Sequence, residues 1–180
     1  MFGRLLVGAI GAPIAAALLC VAAVMGGAMD TGASSPGTGV TSVAAPAVED
    51  PSDPIPAEML VLYRAAAPTC PGLPWVVLAG IGRVETDHGR NTAVSSAGAE
   101  GPMQFMPATW QEYGVDVHGT GVPDINDPAD AVFAAAAMLC ANGASTAAGL
   151  PGAIYAYNHS DQYVADVLGW AAAYTEEYGP

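Results

Sequence analysis

The residues with chemistry to offer fall in three phrases: Arg83 to Gly89 (RVETDHG), Ser95 to Trp110 (SSAGAEGPMQFMPATW) and Tyr155 to Val164 (YAYNHSDQYV). Glu85 sits in the last turn of an otherwise apolar helical run. Apolar neighbours penalise the carboxylate and raise the pKa, and the negative end of the helix dipole pushes the same way. A carboxyl held protonated near neutrality is a general acid, the group that cleavage of a glycosidic bond needs. Arg83 and Arg90 would oppose this if their guanidinium groups faced the acid. Taken alone, a Glu at a helix end is most often a surface charge. Asp87 lies two residues on and points elsewhere on a helix. It and Glu100 are the candidates for a second carboxylate, should the chemistry be simple hydrolysis.

These side chains need elements to hold them, and the pattern is helical throughout. Pro56 opens AEMLVLYRAAA and Pro74 opens WVVLAGIGRVETDHG, with Trp75, Leu78, Ile81 and Glu85 expected along one side. Pro107 opens the short ATWQEYG. Asp127 caps a helix that begins at Pro128 and is closed by Gly143. Residues 150–157 read as a short buried helix, and Ser160 caps DQYVADVLGWAAAYTEEY, whose Val164, Val167, Leu168, Ala171 and Tyr174 keep helical spacing. No stretch alternates in the manner of a strand. The expectation is an all-α domain over 55–180, interrupted by one long irregular segment, 89–106, of a length that is usually functional.

Composition narrows the partners. Four Arg, no Lys and 17 acidic residues leave a net charge of −13, so no nucleic acid and no anionic lipid headgroup is bound by charge. With 52% apolar residues the chain is no disordered acidic tail. Residues 5–29 carry no charge and as a helix would reach roughly 37 Å, enough to cross a bilayer. Arg4 before this run and acids after it keep the N-terminus inside and send the rest out. The run is read as a signal anchor, with a signal peptide cleaved after Ala28, small residues standing at Gly26 and Ala28, as the rival. Cys20 lies within it as an apolar filler. Residues 30–54, rich in Gly, Ser, Thr, Pro and Ala, read as a flexible linker. The expected location is the cell membrane with an extracytoplasmic domain, or secretion to the cell wall after cleavage near Ala28. Export leaves Cys70 and Cys140 as a pair in an oxidising compartment, which predicts a disulfide.

The phrase Ser95-x-x-Gly98-Ala99-x-Gly101-x-Met103-Gln104-x-Met106-Pro107-x-Thr109, starting ten residues after Glu85, resembles the signature of the lytic transglycosylases, lysozyme-like enzymes acting on peptidoglycan. Ala156-Tyr157-Asn158 is similar to their third motif, and Tyr157-Asn158-x-Ser160-x-x-Tyr163 looks closest to the membrane-bound B-type branch. Thr86 stands where many relatives have Ser, and Pro102 where Leu or Ala is common. The resemblance implies the lysozyme-like helical fold and Glu85 as the one catalytic acid/base. It implies Met103 and Gln104 lining a sugar cleft, Ser95 near the reacting acetamido group, Tyr157 hydrogen-bonded near Glu85, and Asn158 on the substrate or its wall. It implies peptidoglycan glycan strands as the partner, a monomer, and neither cofactor nor metal. A hydrolytic muramidase on the same scaffold and a non-catalytic wall-binding module are the other readings.

The physics of the residues agrees with that. Glycines at 98 and 101 permit turns close to a bound sugar, and Gln104 offers both donor and acceptor. Trp75, Trp110 and Trp170 each read first as core, and Trp110, directly after the loop, is the one whose alternative is stacking on a ring as a substrate-binding residue. Residues 116–127 put Asp116, Thr120, Gly121 and Asp124 at positions 1, 5, 6 and 9 of an EF-type loop. His118 at position 3 and Asp127 at position 12 are poor replacements, so a surface turn is the expectation. His88, His118 and His159 have no metal-ligand spacing.

Overall fold

A computed structural model describes residues 54–180. The signal anchor or signal peptide expected over 1–29 and all of the 30–54 linker but Pro54 lie outside the described residues. Among the described residues there are six α-helices: α1 Ala57–Ala66, α2 Trp75–Thr86, α3 Pro107–Tyr113, α4 Pro128–Ala141, α5 Leu150–Asn158 and α6 Asp161–Tyr178. A 3-10 turn, Ala67–Thr69, follows α1, and an isolated antiparallel bridge pairs Glu100 with Phe105. No described helix is long and apolar enough to cross a membrane.

The caps follow the sequence. Asp127 accepts hydrogen bonds from the Ala129 and Asp130 amides at 2.9 and 3.0 Å, and Ser160 Oγ accepts from Tyr163 N at 3.3 Å. The prolines before α1 and α2 sit at the cap itself, those of α3 and α4 just inside the helix.

α2 is the axis of the domain. It packs most extensively on α6 and is also met by α1 and α4. Every residue from Trp75 to Arg83 is consequently buried, where the apolar spacing had predicted a single buried side. Small residues make that enclosure possible. Gly82 meets the Tyr63 hydroxyl where any Cβ would overlap it, and Ala66, Ala79, Ala131, Ala134, Ala135 and Ala136 are buried between helices. In α5 only Ala153 and Ile154 are buried, so the helix exists as expected but lies largely at the surface.

Cys70, just after the 3-10 turn, is bonded to Cys140 in the last turn of α4, with Cα atoms 5.4 Å apart. The bond closes a loop of 70 residues that contains α2, α3 and the irregular segment. In the chain-entropy account that closure contributes about 4 kcal/mol.

Candidate active site

α2 carries Glu85 one residue before its end, where the chain turns out of the helix through three left-handed residues, Asp87, His88 and Gly89, at φ 52°, 57° and 82°. Glu85 is half-buried, and Tyr163 Oη donates to its Oε1 at 2.6 Å. Burial pushes the carboxyl from its ordinary 4.5 up to about 7, and the Tyr163 hydroxyl, which favours the anion, pulls part of the way back. Neither arginine opposes the shift, because both guanidinium groups turn to Asp87. Arg83 Nη1 pairs with Asp87 Oδ1, and Arg90 Nη1 reaches the same oxygen at 3.0 Å. Asp87 is therefore a paired anion, held away from the role of a second free carboxylate.

The irregular segment folds back onto this helix end. Glu100 and Phe105 exchange both backbone hydrogen bonds at 2.9 Å, enclosing Gly101 to Gln104 in a tight turn. Thr86 Oγ donates to the Pro102 carbonyl at 2.6 Å and accepts from Gly89 N at 2.8 Å, so the residue after Glu85 fastens the turn to α2. Tyr157 Oη, from α5, donates to the Met103 carbonyl at 2.9 Å. Gly101 has φ 73° and lies against the Ile125 carbonyl so closely that a Cβ would overlap it. The close approach at Gly101 is thus made by the 116–127 segment, where the sequence reading expected a bound sugar.

Aromatic rings run outward from the acid. Tyr163 stacks on Tyr157 with centroids 6.3 Å apart and planes 6° from parallel. Phe105 tilts against Tyr157 at 5.7 Å and against Trp110 at 5.4 Å. Burial, helped by the nearby Glu85 charge, raises the pKa of both tyrosines, so they remain donors.

Of the residues singled out from sequence, Tyr157 is joined to Glu85 through Tyr163, and Trp110 follows through Phe105. The Tyr157 hydroxyl binds the Met103 carbonyl, and the group that touches the acid is Tyr163. Tyr163 carries no role in the sequence reading; its fixed place in the motif, three residues after Ser160, is the one signal the sequence offers for it. Met103 is fully buried, so its side chain has no face to offer a ligand and the residue acts through its carbonyl. Gln104, left-handed at φ 49°, donates from Nε2 to the Gly101 carbonyl at 2.9 Å. Ser95 Oγ accepts from Ala99 N at 2.9 Å, which ties it to the strand of chain entering the turn. Asn158 is exposed at the end of α5.

The 116–127 segment is closed by backbone donors. Asp116 accepts from Thr120 N at 3.0 Å and Gly121 N at 2.6 Å, while Asp127 is occupied as the α4 cap. Asp130, 2% exposed, accepts from Val117 N at 2.8 Å with one oxygen and Asp124 N at 2.9 Å with the other. His118, Asp127 and Asp130 offer ligand atoms within 4.8 Å of one another. An imidazole and two carboxylates already engaged by N–H groups do not make the all-oxygen set that calcium takes in an EF-type loop. The other histidines are elsewhere: His88 is buried between two tyrosines and His159 is exposed at the end of α5.

Comparison with known proteins agrees with this geometry. Residues 63–177 match the transglycosylase SLT domain family. The chain belongs to that family. Among curated proteins, membrane-bound lytic murein transglycosylase B of Escherichia coli (strain K12) is 41% identical over 61 residues, which span 34% of this chain and 17% of that enzyme. Among solved structures, the SLT domain is similar to the Escherichia coli lytic transglycosylase SLT35 in complex with bulgecin A. That pair has TM-score 0.57 and 19% identity, over 66% of this chain and 73% of the other. The same enzyme in complex with calcium superposes with TM-score 0.56, at 19% identity and over the same 66% and 73% of the chains. Soluble lytic transglycosylase SltB1 from Pseudomonas aeruginosa gives TM-score 0.58, with 19% identity over 69% of this chain and 76% of that one. These likenesses establish the lysozyme-like transglycosylase fold of the SLT domain.

Proposed function

We propose that this protein is a peptidoglycan lytic transglycosylase, cleaving the MurNAc-β-1,4-GlcNAc bond with Glu85 as its single acid/base. The observation that carries the reading is a buried carboxyl at about 7, touched by a tyrosine and flanked in sequence by an aspartate already committed to two arginines. A glycosidase of the ordinary kind needs a second carboxylate as base or nucleophile. In the single-acid reading, the substrate supplies the rest.

Protonated Glu85 gives its proton to the glycosidic oxygen as the bond to MurNAc C1 breaks, and the acetamido oxygen of that sugar stabilises the cation. The Glu85 carboxylate then takes the proton of the C6 hydroxyl, whose oxygen closes on C1 as a 1,6-anhydro ring. No water is consumed, and the acid is restored. Tyr163 holds the carboxyl through both steps: its hydroxyl favours the anion formed after the first, while burial favours the acid that begins it. Gln104 in the turn and Trp110, packed on Phe105, would contact the strand, as would Ser95 and Asn158.

Residues 55–180 form the catalytic domain in this reading, residues 30–54 a spacer, and residues 1–29 an anchor or export signal that puts the domain on the outer side of the membrane or in the wall. The domain works as a monomer without cofactor. The test is incubation of the full chain with purified peptidoglycan beside its Glu85→Gln variant, with fragments read by mass spectrometry. Fragments ending in anhydro-MurNAc, one water lighter than hydrolysed ends and absent with the variant, support the proposal. Ordinary reducing ends would mean a muramidase, and binding without fragments a non-catalytic module.

A further inference from the structure

Just past Glu85 is a group that the proposed chemistry leaves unused. His88 is 2% exposed, its Nδ1 lies 3.1 Å from Tyr63 Oη on α1, and its Nε2 lies 2.8 Å from Tyr174 Oη on α6. Both ring nitrogens are therefore spoken for. A neutral imidazole suits the pair, since one nitrogen donates to a hydroxyl and the other accepts from one. Burial, which penalises the charged ring, pushes its pKa down to about 4 and keeps it neutral.

Its backbone is as constrained as its ring. Asp87 and His88 are both non-glycine residues in the left-handed region, a conformation that persists only where surroundings impose it. The His88 amide reaches back to the Gly82 carbonyl at 2.8 Å, and the Tyr63 hydroxyl it meets fills the space left by the missing Gly82 side chain. The chain is thereby folded back along α2 immediately after the acid. α6 grips this helix end twice, through Tyr163 on Glu85 and through Tyr174 on His88.

We propose that His88 is a positioning residue, whose imidazole bridge between Tyr63 and Tyr174 locks the left-handed turn closing α2 and so holds the Glu85 carboxyl against Tyr163. The inference rests on the transglycosylase reading and adds to it a residue that never touches substrate. Displacing an acid by about 1 Å costs on the order of a hundredfold in rate while leaving substrate contacts in place. Loss of the bridge is therefore read in kcat and spares KM.

The experiment compares the full chain with Tyr63→Phe, Tyr174→Phe, their double variant, His88→Gly and His88→Gln, on solubilised glycan strands. Release of anhydro-MurNAc ends gives kcat and KM at a temperature where circular dichroism shows each variant folded. The expected result is a fall in kcat of about ten- to a hundredfold in the double variant and in His88→Gly, with KM unchanged. His88→Gly decides between bridge and turn, because glycine adopts the left-handed turn freely but cannot span the tyrosines. His88→Gln, which keeps a donor and an acceptor, recovers part of the loss. If the double variant does not fold, the single tyrosine changes, which keep the rings, decide the matter. Folded variants with a lower melting temperature and kcat within about twofold of the parent would make His88 purely structural and overturn the proposal. A parent chain releasing no anhydro ends, or an active Glu85→Gln, would instead overturn the transglycosylase reading, and the proposal with it.

Discussion

At the scale of single residues, the balance at Glu85 sets the pH response. In the proposed reaction Glu85 starts protonated, so the rate is expected to be full below its value of about 7 and to fall tenfold per pH unit above it. Tyr163→Phe removes the one hydrogen bond that favours the anion, so the carboxyl becomes a weaker acid. The alkaline limb of the pH–rate profile is expected to move upward, although kcat on the plateau drops because the carboxyl is held less firmly. A limb that moves toward acid would refute this account of Tyr163. The loop motif, and Glu85 at the end of an apolar helix ahead of it, were legible in the sequence because a family motif keeps residue types at fixed spacings. Tyr163 and His88 were not, because an apolar stripe does not say which tyrosine on it meets an acid 78 positions away, nor that a histidine after a helix end turns inward.

At the scale of elements, the turn 101–104 is held from three sides: by Thr86 on α2, Tyr157 on α5 and the Ile125 carbonyl of the 116–127 segment. That segment in turn hangs on Asp130, the buried first-turn acid of α4, whose two oxygens serve two backbone amides. Asp130→Ala leaves those amides without partners and is expected to cost about 2–3 kcal/mol in urea unfolding. Adding calcium to the parent chain should leave its midpoint where it was; a calcium-dependent rise would show that the segment takes the ion after all. Gly82→Ala drives a methyl into the Tyr63 hydroxyl and is expected to destabilise by about 1–3 kcal/mol or more, measured the same way. The helices and their caps could be read in advance, since Pro, Asp and Ser at helix starts act locally. The burial of α2 on all sides could not, because it depends on which neighbours arrive.

At the scale of the whole molecule, two buried groups work against each other as the pH changes. Between 4.5 and about 7 the folded chain keeps a proton on Glu85 that the unfolded chain sheds, so this group lowers stability as pH rises. Between about 4 and 6.5 the unfolded chain protonates His88 and the folded one does not, so that group raises stability as pH rises. Over the shared window the two offset each other, and the melting temperature is expected to be nearly flat. In Glu85→Gln the histidine is no longer offset by the acid, so stability should climb by about 2–3 kcal/mol from pH 4 to 6.5 and stay high above it. A parallel profile for both proteins would show that Glu85 is not the group responsible. The Cys70–Cys140 bond acts at this scale too, since it spans the site-bearing half of the domain. Replacing both cysteines with serine is expected to cost about 4 kcal/mol, read as a lower midpoint in urea. The sequence by itself determined the helical class, the cysteine pair, the place of Glu85 at the end of a helix and the family of the motif, because each depends on composition or on spacing along the chain. Only the tertiary structure decided that Tyr163 holds the acid, that Arg83 and Arg90 are drawn to Asp87, that Met103 is core, and that His88 closes the end of α2. Those outcomes depend on which distant side chains share a low-dielectric interior, where a hydrogen bond or a charge has to find its partner.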